Sequence, residues 1–534
     1  MEIVLPYNPH QSALPGSLQL KGESLLMARN NPLPPSSMLL SRSQAVSTTP
    51  IPGQLSSQTT RKSCPKCRNA NKRPGDSPGE CKACAHFNAQ HAHHRRLTYS
   101  PGSMARAALF SNGSIVLRND QERKLVGTAS EILHTIICPV ADKSCRDFAV
   151  VISISIREPW IRDAMMAFAL SVKATQSEED CGNRALRSYQ SALAGLRENF
   201  LSSNDTSKTP MLIVAANFLG LLETLCSPDP RRPMVHFIAT AQLIHHFNTN
   251  SSWKQDAKFR GLYRIMVECT VYNIAVLSIF YDDLEGFARK ICWDSLKSSC
   301  PQYSSIEGAL RSTTPRGTSA FLGGRLDFYC AMFDIIRFAR QDMSESEKEY
   351  QVSAFSERLD EIEDAVTAYY GIDILPIAGE IFCRTYKLQF LALRIILAKA
   401  EDPSRCSASP IIADLFNQAL VLLMLGNLEG NVYPVICWPI TILAFAVECD
   451  GTFELLRERA EVFKKGFHKG HGDRMMRAIN AVGQYRKNSY GYCERRFGRE
   501  CSRHHDGLEF LVHPQGCLVA ERGWGRDSNS PMSE

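Results

Sequence analysis

From about residue 130 the chain places apolar residues at alternating three- and four-residue steps, the period of a helix with one buried face. Between Ala185 and Leu201, such a face holds Leu186, Tyr189, Leu193, Leu196 and Phe200. Thr209 followed by Pro210 reads as a cap and a proline at the first helical position. Met211 to Leu225 is almost continuously apolar, which predicts a helix buried on most sides. Similar periodic stretches predict helices over 236–247, 261–280, 325–340, 352–370, 378–400, 411–425 and 453–466. Strand signals are scarce. Val150 to Ile156 alternates β-branched residues with serine, a local strand preference. No second strand is there to pair with it, so a helix is expected there too. Pro434 to Val447 is the longest uncharged apolar run. It is too short for a membrane span and reads as a buried core segment. The fold expected is all-α, a large helical domain over 130–490.

The rest of the chain has a different texture. Residues 1–60 hold 8 of the 27 prolines and ten serines without sustained periodicity, so a disordered segment is expected there. Their opening residues lack a basic stretch leading into an apolar run, so a secretory signal is not expected. Residues 99–129 contain Pro101, Gly102 and Gly113 and no sustained heptads, and are expected to be a linker rather than a coiled coil. The residues after Tyr490 are rich in glycine and charge, and 491–534 are expected to form a flexible tail.

Charge sharpens the division. The total is +6 over 534 residues, which says little by itself. Residues 61–98 carry nine Lys and Arg against Asp76 and Glu80, a local charge of +7 that leaves the remainder at −1. The same segment holds two CxxC pairs, Cys64 with Cys67 and Cys81 with Cys84, out of 19 cysteines in the chain. Each CxxC turn aims two thiolates at one ion, and two turns complete a tetrahedral zinc shell. His86, His91, His93 and His94 follow and offer imidazole nitrogens. A thioredoxin-like role needs a surrounding βαβ pattern, which the sequence lacks. The other cysteines are scattered. Cys181, Cys226, Cys269, Cys330 and Cys383 read as small buried apolar residues. Lys62, Lys66, Arg68, Lys72 and Arg73 surround the first pair. A metal-held scaffold with such a cationic surface gains affinity for nucleic acid by displacing counterions from phosphates.

These residues carry a resemblance. RKSCPKCRNANKRPGDSPGECKAC resembles the binuclear zinc six-cysteine cluster of fungal transcription factors. Cys64 and Cys67 match its first pair, Arg68 the arginine that follows, Pro78 the loop proline, and Cys81 and Cys84 the second pair. Pro74 stands where the third cysteine is expected, and His91 stands near the place of the sixth. The resemblance implies a zinc cofactor held either by Cys64, Cys81, Cys84 and His91 or by Cys64, Cys67, Cys81 and Cys84. It also implies that Arg68 to Arg73 is the basic helix that enters the major groove of double-stranded DNA. Downstream, Glu158-Pro159-Trp160 followed by Ala164 to Ala174, Arg187 to Leu193 with Leu196-Arg197, Leu221-Leu222-Glu223, His236 to Ile244, and Cys437-Trp438-Pro439 to Ala446 followed by Arg457 to Phe463 resemble, in order, motifs of the fungal-specific transcription factor domain. The implied function is a nuclear, zinc-dependent, DNA-binding regulator of RNA polymerase II genes, with transcription co-regulators as further partners. The alternative is a helical regulator that has lost direct DNA binding and works through protein partners. A monomer and a dimer formed through the helical domain both stay open.

Enzyme chemistry finds little support. The sequence contains no P-loop, GxSxG, HExxH or dinucleotide fingerprint. Asp282-Asp283-Leu284-Glu285 resembles an acidic magnesium motif, but its spacing is wrong. It reads as a solvated helix end before Gly286, so no catalytic residue is assigned.

Overall fold

The structure is a computed structural model. It describes residues 120–137, 144–175, 179–202, 208–249, 257–281, 283–297, 326–370, 376–425, 433–466, 469–497 and 507–513. The chain separates into two units, Met1–Ser103 and Met104–Glu534, and every described residue belongs to the second. The expected zinc ligands and DNA-contacting residues lie outside the described residues.

The helices run in the order α1 (Asp120–Ile137), α2 (Ser144–Arg157), α3 (Pro159–Thr175), α4 (Glu179–Ser202), α5 (Thr209–Cys226) and α6 (Arg231–Thr249). There follow α7 (Ala257–Ser278), α8 (Leu284–Lys290), α9 (Leu326–Phe338), α10 (Glu345–Tyr370) and α11 (Pro376–Glu401). The series closes with α12 (Pro410–Leu425), α13 (Tyr433–Ala446), α14 (Asp450–Gly466), α15 (Lys469–Phe497) and α16 (Glu509–Val512). No strand occurs among the described residues, so the fold class is all-α. Val150 to Ile156 lies in α2, where Val151, Ile152 and Ile156 are buried. Tertiary burial overrides the local strand preference.

One hydrophobic core runs through the whole bundle. In the first half α3 packs on α4, α5 and α1, while α5 lies against α6. In the second half α11 packs on α12, α13 and α10, and α13 on α14 and α15. Two helices bind the halves together. α7 touches α2, α5 and α6 on one side and α9 on the other, and α15 returns to α5. α5 is long and apolar enough to cross a membrane, yet 83% of it is buried inside the fold. Its apolar residues are spent on neighbouring helices, as expected for a core helix. α13, the Pro434 to Val447 segment, is likewise buried from Ile436 onward.

Four local expectations are corrected. Thr209 is not a cap: α5 starts at Thr209, its N-cap is Lys208, and no side-chain bond closes that end. Pro210 does occupy the first turn, where its missing N–H leaves nothing unpaired. The linker expected over 99–129 overlaps α1, whose Leu125, Val126 and Ala129 are buried. Beyond 490, α15 continues to Phe497, and Leu508, Phe510 and Leu511 are buried. Phe510 stacks near Phe445 and Tyr485, with ring centroids 6.4 and 5.0 Å away. Of the scattered cysteines, Cys181, Cys269 and Cys330 are buried and Cys383 is half-buried, but Cys226 is exposed at the end of α5.

Buried cations close several helix C-termini. Arg340 donates to the carbonyls of Ser278 at 3.1 Å, Ile279 at 2.7 Å and Tyr281 at 2.5 Å, just past α7. Its Nε reaches Leu511 O at 3.4 Å, which ties in α16. Lys399 donates to Pro403 O at 2.7 Å and Arg405 O at 2.6 Å beyond α11. Ser278 is the last residue of α7, where a carbonyl has no partner within the helix, and the other acceptors lie in the turns just after α7 and α11, so each cation satisfies buried carbonyls near a helix end of partial negative charge.

Candidate functional site

Three of the downstream motifs meet at one place. Tyr189 comes from α4, Glu223 from the last turn of α5 and His236 from the first turns of α6. The Tyr189 hydroxyl donates to Glu223 Oε1 at 2.9 Å. The same oxygen lies 3.2 Å from His236 Nε2. The two rings meet edge to face, with centroids 6.3 Å apart at 86°.

The electrostatics fix the proton arrangement. Burial holds the His236 imidazole down at about 4, so it is neutral at neutral pH. Burial raises the Glu223 carboxyl, against the Tyr189 hydrogen bond and nearby Arg232, which pull it down. Burial and the Glu223 charge both push the Tyr189 hydroxyl well up. A tyrosine hydroxyl has one proton, and here it goes to Glu223. A neutral His236 therefore makes its contact by donating Nε2–H to the tyrosine oxygen. The result is a relay from histidine to tyrosine to carboxylate across three helices.

The backbone around the relay is equally specified. Gly220 on α5 faces Phe237 and His236, and a Cβ there would stand 3.0 Å from the Phe237 ring. The Thr240 hydroxyl donates to His236 O at 2.9 Å within α6. The α5–α6 turn is held by the Ser227 hydroxyl, which accepts from Asp229 N at 3.2 Å, and by the Asp229 carboxylate, which accepts from Arg231 N at 3.0 Å. From α15, Arg474 donates to Thr224 O at 2.7 Å and Ser227 O at 2.5 Å. Burial lowers Arg474 to about 10, which still leaves it charged at neutral pH. Gly470 lies against the Thr224 and Leu225 carbonyls, so no side chain blocks the approach of α15.

The other motifs are structural in the same sense. Pro159 opens α3, and Trp160 is buried against α4 at Gly195, where a Cβ would come 2.3 Å from Trp160 Cβ. Arg162 on α3 pairs with Glu122 of α1 at 2.9 Å, both largely buried. Trp438 and Pro439 sit inside α13, with Trp438 wholly buried. Of the predicted helical face on α4, Leu196 is buried and Tyr189, Leu193 and Phe200 pack partly against the core, but Leu186 is exposed.

The acidic cluster before Gly286 is divided between two jobs. Asp283 caps α8 by accepting from Gly286 N at 2.8 Å. Glu285 accepts two bonds from Arg337 on α9, at 2.5 and 2.8 Å, and one from Gln341. Arg337 and Gln341 hold the Glu285 carboxyl below its ordinary range. Asp282 lies outside the described residues. His245 Nδ1 is 2.6 Å from the Ser295 hydroxyl. No group of three or more His, Cys, Asp or Glu side chains able to hold a metal occurs among the described residues.

The relay was not foreseen as a unit in the sequence. Tyr189, Glu223 and His236 each stand in a separate motif, and only the packing of α4, α5 and α6 brings them together. The comparisons with known proteins fall on the same region. The family model of the fungal specific transcription factor domain matches residues 130–482, from within α1 to within α15. Neither a curated protein nor a solved structure matches the chain. The match covers more than half of the chain, so the protein belongs to the fungal-specific transcription factor domain family and is a transcription regulator.

Proposed function

We propose that this regulator is a nuclear, zinc-dependent protein that binds double-stranded DNA at RNA polymerase II genes. The observation that carries the reading is positional. Two CxxC pairs within a segment of charge +7 precede a fungal transcription factor domain in the same chain. Zinc held by Cys64, Cys81 and Cys84, with Cys67 or His91 as the fourth ligand, supplies the folding energy so short a segment lacks. Lys62, Lys66, Arg68, Lys72 and Arg73 then contact phosphates and the major groove. In this reading the helical domain regulates activity and receives co-regulators, and it has no catalytic role.

Pro74 at the third-cysteine position favours one second reading, a regulator that acts through protein partners without touching DNA. One experiment separates the two. Zinc content and DNA mobility shift across a salt series are measured on the full chain and on Cys64→Ala/Cys81→Ala. The proposal expects bound zinc and salt-sensitive DNA binding in the first, and loss of both in the second. A full chain without zinc or DNA binding rejects the proposal in favour of the second reading. DNA binding that survives the double substitution rejects the zinc scaffold.

A further inference from the structure

The stretch from Gly507 to His513 reaches the bundle as one short turn with a few well-defined holds. Gly507 donates its N–H to Phe445 O at 3.0 Å, at the end of α13. Leu508, Phe510 and Leu511 are buried, and Val512 packs partly against the core. The Phe510 ring meets Phe445 of α13 and Tyr485 of α15, and α16 also packs on α11. The Leu511 carbonyl accepts from Arg340 Nε, just past α9. At Gly507 a Cβ would stand 2.6 Å from Val482 Cγ1 and 3.2 Å from Phe445 Cα. Val482 is β-branched and Phe445 presents backbone there, so neither can turn aside.

The seat does not need its occupant. Arg340 makes four bonds, and the one to Leu511 is the longest, at 3.4 Å. The other three hold Ser278, Ile279 and Tyr281 at the end of α7 and stay when the turn leaves. Phe445 and Val482 stand on α13 and α15, which pack on each other. The occupant, by contrast, cannot hold its own shape. α16 has four residues, and a helix so short has no stability alone. Burying three apolar side chains contributes about as much as ordering seven residues costs. Nine residues join Phe497 to Gly507, so a released turn stays tethered at high effective concentration. The family match divides the two parts in the same way. Arg340, Phe445 and Val482 fall within 130–482, and Gly507 to His513 lie beyond it. The domain supplies an apolar groove, and an extension of the chain covers it.

We propose that this groove is a docking site for a short apolar segment of a partner protein, and that Gly507 to His513 is a tethered competitor which the partner displaces. The seat defines the partner segment: a glycine, with apolar residues one, three and four places after it, as Leu508, Phe510 and Leu511 follow Gly507. The proposal builds on the reading of the helical domain as a receiver of co-regulators, and needs neither zinc nor DNA.

The test is fluorescence polarisation of a labelled peptide of residues 505–514, titrated with the full chain, with circular dichroism to confirm the fold. Gly507→Ala in the chain lifts its own turn and leaves the seat unchanged. The peptide should therefore bind Gly507→Ala at least about tenfold tighter than the wild type, where the tethered copy competes. A peptide carrying Phe510→Ala should bind Gly507→Ala at least about tenfold more weakly than the unaltered peptide, the scale of a lost anchor. Hydrogen exchange on the wild type serves as a second measurement that needs no variant. Excess peptide should speed exchange in residues 507–513 while α13 and α15 stay protected. Three outcomes overturn the proposal: equal binding to Gly507→Ala and wild type, equal binding of the two peptides, or a turn that exchanges only when the whole domain unfolds. None of these readouts involves zinc or DNA, so a failure here is distinct from a failure of DNA binding.

Discussion

The Tyr189 hydroxyl stands 3.2 Å from His236 Nε2 although 47 residues separate the two in the chain. That contact, with Glu223 as the third member, locks α4 onto the α5–α6 hairpin. Tyr189→Phe keeps the ring and its packing but leaves a buried carboxylate and a buried imidazole N–H without their partner. Such orphaned groups cost about 1–3 kcal/mol. Chemical denaturation should show a loss in that range for Tyr189→Phe, and a smaller combined loss once Glu223→Gln is added. Equal and additive losses would mean that the three groups do not act together.

The same relay makes stability depend on pH in a definite direction. His236 is held at about 4 in the folded protein against an ordinary 6.5. Between those values the unfolded chain binds a proton that the folded chain refuses. Stability from this group is complete above 6.5 and is lost as pH falls towards 4, by at most about 3 kcal/mol. Glu223 works the other way, because its raised folded value gives stability at low pH that is lost as pH rises through it. His236→Gln keeps an N–H donor near Nε2 and removes the titration. The difference in unfolding free energy between wild type and His236→Gln should therefore shrink steadily from pH 6.5 to 4. A constant difference would show that His236 titrates normally.

Two glycines allow close helix contacts, and they should differ in their tolerance of a methyl group. At Gly195 the new Cβ would lie 2.3 Å from Trp160 Cβ and 3.1 Å from Cγ, next to backbone that cannot turn aside. At Gly220 it would meet the far edge of the Phe237 ring at 3.0 Å and His236 Cβ at 3.3 Å. Alanine gains about 1 kcal/mol of helix propensity over glycine at either site. Overpacking outweighs that at Gly195, where Gly195→Ala should destabilise by about 2 kcal/mol or more. Gly220→Ala should lie within about 1 kcal/mol of neutral. Thermal melts that rank the two in the opposite order would contradict the packing.

How much of this was legible in sequence depends on the range of the interaction. The helices were, because their signal repeats within a few residues. Met211 to Leu225 announced a core helix, and Leu193, Leu196 and Phe200 announced the inner face of α4. The Thr209 cap misled because α5 begins one residue earlier than the motif suggests: Thr209 is already helical, and the N-cap is Lys208, which makes no side-chain bond. Leu186 misled because the helical period alone does not say how wide the buried stripe of α4 is, and Leu186 is exposed. The tail misled because Phe510 and Leu511 form one short turn, too short for any period, and are held by Phe445, Tyr485 and Arg340 from far upstream. The relay was visible only as three separate motif positions. Nothing local in α4 says that Tyr189 will find Glu223 and His236.

Arg474 tests whether the α5 terminus needs its cation. Its guanidinium reaches Thr224 O and Ser227 O at once and is 250 residues from the first of them. Truncation removes the donor from two carbonyls buried beside the Gly470 contact. Arg474→Met should cost about 2–4 kcal/mol, from two charge-assisted bonds and the orphaned carbonyls. Arg474→Lys should recover only part of that, since one ammonium lacks the fork that spans both carbonyls. Because α15 also packs on α13, hydrogen exchange in Arg474→Met should rise at the end of α5 and the start of α15 before it rises elsewhere. Uniform exchange through the bundle would mean that the clamp is not local.

The last prediction concerns the basic segment. If Lys62, Lys66, Arg68, Lys72 and Arg73 each neutralise a phosphate, five counterions leave the DNA on binding. The logarithm of the binding constant should then fall against the logarithm of salt concentration with a slope of about −4.5. Each single substitution to alanine should weaken binding to all sequences alike and reduce the slope by about 1 if the residue meets only phosphate. A residue that reads a base edge behaves differently. It costs about 1–3 kcal/mol at its own base pair and relaxes the choice there. Arg68 and Arg73 are the candidates for base reading, since arginine pairs in bidentate fashion with guanine, and Lys62 lies before the first cysteine, outside the stretch expected to enter the groove. Competition with altered sites should therefore separate Arg68→Ala and Arg73→Ala from Lys62→Ala. Five substitutions that all leave the slope unchanged would remove DNA contact from this segment and leave the regulator to work through its helical domain.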